Sequence, residues 1–177
     1  MARKDSRKPR PGTVKSSAFW MFCFVSLIWA VEAVNALTGH ALNQYGILPR
    51  TSDGAVGILT APLLHVNPRH ALANTVPFII LGWLVAAHGR RPFLTVTFIV
   101  WLLSGAGVWL IGRPQPHVGA SGLVFGYFAF LLAMAWYERS ARSILIAVVS
   151  VLLYGGLIWG LAPRGGLVSW ESHACGF

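Results

Sequence analysis

The sequence predicts an all-α protein, a polytopic transmembrane helical bundle with five full spans and the start of a sixth. Three observations carry that expectation. Of 177 residues, 55% are hydrophobic and 11% charged, and the mean hydropathy is +0.63; an ordinary soluble domain has about a quarter of its residues charged. Five apolar stretches each approach the roughly 20 residues that a helix needs to cross a bilayer. Finally, 14 Lys and Arg stand against 5 Asp and Glu, a net charge of +9, and the cations gather at alternate ends of those stretches. The apolar content excludes a disordered chain, and 8 Trp with 10 Phe exclude a collagen-like or low-complexity one.

Residues 1–17 read as a basic tail, with Arg3, Lys4, Arg7, Lys8, Arg10 and Lys15 against Asp5. The membrane domain then occupies residues 18–177. Its first span, 18–38, is longer than the roughly 7–15 apolar residues of a signal peptide and lacks a clear small-x-small cleavage site, so it is expected to be retained. Glu32 and Asn35 lie three apart on this span and are expected to face the bundle, because lipid would penalise them. The second span, 70–87, and the third, 92–112, are separated by Arg90-Arg91-Pro92; the third closes at Gly112-Arg113-Pro114. The fourth, 120–136, is at the lower limit for spanning. The fifth runs over 143–161.

A loop of about thirty residues joins the first two spans and is too apolar for a linker. Residues 55–64 within it have the character of short interfacial pieces. The Trp residues at 20, 83, 101, 109 and 159 read as packing or interface anchors.

If the spans alternate in direction, the tail, Arg90 and Arg91, and Arg139 and Arg142 fall on one side, while Arg50, Arg69, Arg113 and Arg164 fall on the other. The positive-inside rule then places the N-terminus in the cytoplasm. The basic excess is thus a topology signal and a lipid-headgroup contact, with the lipid bilayer as partner and no nucleic acid. The two cysteines, Cys23 and Cys175, outline neither a disulfide framework nor a metal-binding pair. His40, His65, His88 and His117 offer no helical pair suited to a metal.

Polar groups inside a membrane are expensive and mark functional candidates. Three sets enter from the same side. His70 and Asn74 are four apart and share a helix face; they could hold one anion or simply hydrogen-bond across helices. Ser121 sits in Gly119-Ala120-Ser121-Gly122, where small neighbours and the N–H groups of a helix start could receive an oxyanion, or where a capping serine could sit in a small-residue packing face. Gly122 and Gly126 repeat at the spacing of close helix packing. His173 is followed three residues later by Gly176, a pairing equally compatible with an interfacial histidine.

In that order and on those segments, His-x-x-x-Asn at 70–74, Gly-x-Ser-Gly at 119–122 and His-x-x-Gly at 173–176 resemble the motifs of the rhomboid family of intramembrane serine proteases, bacterial type. The stretch YGILPRTSDGAVGILTAPLLHVNPRHALANTVP, with His65 five residues before His70, is similar to the long first loop and second-helix entry of bacterial members. The resemblance covers roughly residues 18–177.

It implies that Ser121 is the nucleophile and His173 its base, with His70, Asn74 and the Ser121 backbone N–H as the oxyanion hole. Gly119 and Gly122 flank the nucleophile. Phe125 stands where many members carry a Tyr packed on the catalytic histidine, and Gly176 matches a glycine that packs near Gly122. A dyad suffices, because none of the five acidic residues, Asp5, Glu32, Asp53, Glu138 and Glu171, has an obvious place behind His173. The implied reaction is serine-type endopeptidase cleavage of single-pass transmembrane protein substrates near the outer membrane face, with no cofactor and no metal. The implied location is the bacterial plasma membrane, as a multi-pass integral protein.

The sequence ends at Phe177, four residues past His173, so only the first turn or so of a sixth helix is expected. On that ground the domain reads as C-terminally truncated within that helix and its activity as weak or lost. A catalytically inactive rhomboid-like protein that binds membrane clients is the alternative, and a small transporter or scaffold fits the spans but not the motifs.

Overall fold

The computed structural model describes residues 11–163, 165 and 168–177. The tail cations Arg3, Lys4, Arg7, Lys8 and Arg10, and Arg164, lie outside the described residues. Helix α1 runs over Pro11–Leu37. The connection to the next span holds 3-10 turns at Ala41–Tyr45, Asp53–Val56 and Ala61–Leu63 around a single α-turn, α2, at Gly57–Thr60. Then follow α3 (Pro68–Ala86), α4 (Arg90–Ile111), α5 (Ser121–Glu138), α6 (Ala141–Tyr154), a 3-10 segment at Gly155–Leu161, and α7 (Trp170–Gly176). Among the described residues there is no β-strand, and only Ile47 and His117 pair as an isolated antiparallel bridge.

Among the described residues, five helical stretches are long and apolar enough to cross a membrane: Ser16–Leu37, Pro68–Ala86, Arg90–Ile111, Ser121–Glu138 and Ala141–Leu161. The protein is therefore a multi-pass membrane bundle in contact with lipid. In hydrocarbon every backbone polar group must be satisfied within the protein, which leaves helices as the open choice for such segments. The fifth stretch departs from a uniform helix. Its α-helical part stops at Tyr154, where Gly155-Gly156 follow, and the rest winds as a 3-10 segment; glycine has the least to hold it in a helix interior.

Half of the apolar window of α3 and of α5 is buried, against 22% for α1, 17% for α4 and 11% for the fifth stretch. So α3 and α5 form the centre and the others cover them. Phe78, Leu81 and Val85 of α3 meet Leu123, Tyr127, Phe128 and Leu131 of α5 there. The buried Tyr127 hydroxyl shares a 2.7 Å hydrogen bond with Thr97 Oγ1 of α4, and Trp29 Nε1 of α1 donates to Thr75 Oγ1 of α3 at 3.2 Å. Such bonds fix which helix faces meet, since lipid tails are as apolar as the core.

The long connection packs on the bundle through its backbone. Trp101 Nε1 donates to Ile58 O and Trp109 Nε1 to Thr51 O. Trp20, Trp83 and Trp159 are instead strongly exposed, as lipid-facing anchors would be. Arg50, in the left-handed region at φ 60°, reaches the carbonyls of Leu110 and Gly112 at the end of α4. At the end of α1, the fully buried Asn35 donates to Asn43 Oδ1 and His65 O and accepts from Leu42 N, while buried Glu32 pairs with His40. Glu32 and Asn35 thus serve to hold the connection to α1.

Candidate active site

The site lies where α3, α5 and α7 begin. Asn67 caps α3: its side chain accepts from His70 N at 2.8 Å, and Pro68 fills the first helical position, where no N–H is needed. That start sets His70 and Asn74 on successive turns of one face, with the Asn74 amide donating to His70 O at 3.1 Å.

Gly119 precedes α5 with φ 118°, a conformation that a side chain would strain. Its N–H donates to Ala61 O at 2.9 Å. A Cβ on Gly119 would lie 2.8 Å from His70 Cε1 and 3.5 Å from Asn74 Nδ2. Gly119 thereby lets the two chain segments touch. Ser121 is the first residue of α5 and is 8% exposed. The first N–H groups of a helix have no carbonyl of their own helix to bond, and so stand as donors beside that hydroxyl.

Helix α7 is a seven-residue turn whose N-cap, Ser169, accepts from Ser172 N at 3.1 Å. Its contact with α5 is backbone on backbone: a Cβ on Gly176 would fall 2.2 Å from Gly122 O. Gly126 closes the same seam, since a Cβ there would meet Val100 at 2.3 Å and Gly176 O at 2.9 Å. Close approach brings the His173 ring over Phe125, with centroids 4.2 Å apart and planes 7° from parallel. His173 Nδ1 lies 3.0 Å from Gly160 O. A carbonyl can only accept, so Nδ1 carries the hydrogen and Nε2 is the acceptor in the neutral ring.

His70, Ser121 and His173 all line a cavity of about 380 Å³, which Asn67, Gln115 and Ser169 rim. The same three line a second cavity of about 400 Å³ between α3 and the Gly155–Leu161 segment, with Asn74, Pro77 and Trp159 on its walls. All eight residues singled out by the motifs therefore fall at one end of the bundle. Chemically, the arrangement offers a hydroxyl, an imidazole acceptor, and amide and imidazole donors around these two cavities.

Several residues of the site carry no motif. Gly160 acts through its carbonyl, which leaves no trace in side-chain pattern. His65 is fully buried, and its ring stands edge-on to His70 at 5.1 Å. It lies outside the spans, and burial together with the adjacent His70 lowers its pKa from the ordinary 6.5 to about 3. His117 bridges Ser169 Oγ and Arg113 O, and Glu171 pairs with Arg113. Among the described residues, no three His, Cys, Asp or Glu side chains gather as a metal set.

A family model described as the rhomboid domain matches residues 52–177. An uncharacterized protein of Mycobacterium tuberculosis is 42% identical over 162 residues, covering 86% of this chain and 68% of its own length. An uncharacterized protein of Mycobacterium leprae is 41% identical over 162 residues, covering 86% of this chain and 64% of its own length. The Arabidopsis thaliana protein named Rhomboid-like protein 11, chloroplastic, is 30% identical over 151 residues, covering 81% of this chain and 51% of its own length.

Proposed function

The chain belongs to the rhomboid family, and on that premise we propose that it is an intramembrane serine endopeptidase that cuts single-pass membrane proteins through Ser121 and His173. The observation that carries this reading is the orientation of His173. With Nδ1 donating to Gly160 O, the acceptor Nε2 belongs to a ring that lines the same cavity as Ser121. Glu171 is engaged by Arg113, so a backbone carbonyl takes the orienting place that an acid holds in a triad.

In the proposed reaction His173 Nε2 accepts the Ser121 proton as Oγ bonds to the scissile carbonyl carbon. Negative charge moves to the carbonyl oxygen, where Asn74, His70 and the Ser121 N–H donate. Collapse breaks the C–N bond, and the proton on His173 goes to the leaving amine. Water then adds to the acyl-enzyme with His173 again as base, releasing the acid and restoring Ser121. A substrate helix would reach the site along the cavity between α3 and the Gly155–Leu161 segment. It must become extended to be attacked, so helix-breaking residues near the cut should favour cleavage.

The distribution of Lys and Arg supports a cytoplasmic N-terminus and a site at the outer face, and the likeness to mycobacterial proteins supports residence in a bacterial plasma membrane. Residues 1–17 serve in this reading as a basic cytoplasmic tail ahead of the membrane domain.

The test is covalent labelling of membranes with a fluorophosphonate, beside cleavage of a single-pass reporter carrying a Gly- and Pro-containing juxtamembrane segment. Labelling and cleavage that both vanish in Ser121→Ala support the proposal. A chain that takes no label yet retains the uncut reporter is an inactive client-binding member of the family.

A further inference from the structure

We infer that Arg113 is a positioning residue for His173: its guanidinium, gripping Glu171 and the Val168 carbonyl, sets where α7 lies against α5. The inference rests on the reading of His173 as the base. Arg113 Nη2 donates to Glu171 Oε2 at 3.1 Å and to Val168 O at 3.0 Å, and Arg113 Nε pairs with Glu171 Oε1. The backbone N–H of Arg113 also points at Glu171 Oε1, at 3.3 Å. The carboxylate is thus held by a two-nitrogen fork and by main chain, an arrangement that fixes direction as well as distance.

Helix α7 meets α5 through the Gly122–Gly176 seam and the Phe125–His173 stack, so where its first turn sits decides where the His173 ring lies. Glu171 and His173 are two residues apart, roughly 200° around the helix axis. A grip on Glu171 from one side therefore seats the opposite face, with His173, on Phe125 and Gly160.

The anchor is itself hydrogen-bonded into the connection. His117, 1% exposed, bonds Arg113 O through Nε2 at 3.0 Å and Ser169 Oγ through Nδ1 at 2.6 Å. Its backbone exchanges two 2.9 Å bonds with Ile47, and Arg50 holds Gly112 O from below. The α4–α5 connection thus grips the N-terminal turn of α7 twice, at Glu171 and at Ser169. Glu171 is only 1% exposed, so losing the guanidinium leaves a buried carboxylate held by the Arg113 N–H and the Ser169 hydroxyl, a loss that a shift of the helix would relieve.

The experiment compares the full chain with Arg113→Gln, Arg113→Lys and Glu171→Gln in detergent, reading two quantities. One is the saturating rate and half-saturation constant for fluorophosphonate reaction at Ser121. The other is amide hydrogen exchange of α7 and of α5. A displacement of about 1 Å costs on the order of 100-fold in rate. Arg113→Gln should lower the saturating rate by roughly 10- to 100-fold, with the half-saturation constant within about twofold. Arg113→Lys should fall between, because it keeps the charge and loses the fork. Exchange should quicken in α7 and stay unchanged in α5.

An Arg113→Gln chain that reacts at the parent rate, or whose rate falls only together with faster exchange throughout α5, overturns the inference. If the parent takes no label, the protease reading is what fails. Exchange quickened in α7 alone then still supports the grip, and unchanged exchange there overturns it.

Discussion

Phe125 and His173 stack face to face, with centroids 4.2 Å apart and planes 7° from parallel, although 47 residues separate them in the chain. The stack and the Gly160 carbonyl together leave the His173 ring one orientation. In the proposed chemistry that orientation is what aims Nε2 at the serine.

Replacing Phe125 should therefore be felt in rate. An aromatic pair contributes about 0.5–1.5 kcal/mol beyond its area, equivalent to roughly a 2- to 10-fold change. Phe125→Leu keeps most of the volume and loses the ring face, so its fluorophosphonate reaction at Ser121 should slow by about that factor. A Leu variant reacting as fast as the parent would show that the stack does not orient His173.

Asn74 tests the oxyanion assignment. Removing one donor from such a site lowers turnover by about 100- to 1,000-fold. Asn74→Ala should show that loss in reporter cleavage, while circular dichroism and gel filtration in detergent stay those of the parent. A turnover loss below about threefold would remove Asn74 from the site.

Gly176→Ala addresses the seam between α5 and α7. The added Cβ would fall 2.2 Å from Gly122 O, a backbone atom that cannot swing aside, so α7 has to move. Overpacking of this kind costs about 1–3 kcal/mol. The thermal midpoint in detergent should drop by several degrees for Gly176→Ala and hold for Gly156→Ala, where nothing lies within 4 Å. Equal midpoints for the two variants would contradict the close packing.

His65 should make stability depend on pH. Burial and the neighbouring His70 lower its pKa in the folded chain from 6.5 to about 3. Between those values the unfolded chain binds a proton that the folded chain refuses. Stability is thus complete above pH 6.5 and declines as the pH falls toward 3, by up to about 1.4 kcal/mol per pH unit. Unfolding midpoints measured from pH 7.5 down to 5 should fall more steeply for the parent than for His65→Gln. Superimposable curves would show that His65 does not drive the dependence.

Much of the fold is legible along the chain because a bilayer imposes a one-dimensional rule. A span must be about 20 apolar residues long, and its ends collect charge, Pro and Gly. All five spans fall within a few residues of where composition puts them. The departure at Gly155-Gly156 reflects a local competition between the α-helix and the 3-10 helix that hydropathy does not register.

The candidate site was legible only as far as its side chains repeat a pattern. His70, Asn74, Gly119, Ser121, Gly122, Phe125, His173 and Gly176 stand at recognisable spacings, and alternation of the spans puts their segments at one end. Arg113, which closes a span beside a proline, reads in the sequence as a boundary charge. Glu171 reads as an acid turned away from His173, with no partner in view. Their pairing joins residues 58 positions apart, and nothing local to either announces the other.

By itself, then, the sequence determined the class of the protein, the number and limits of its spans, its family and the residue types brought to one end of the bundle. The tertiary structure decided the rest: which face of α7 meets α5, which nitrogen of His173 carries the hydrogen, and which cation holds Glu171. Those outcomes depend on backbone carbonyls, glycine contacts and an ion pair between distant segments. Such interactions arise only when packing sets their distances, because neither a carbonyl nor a missing Cβ has a signature along the chain.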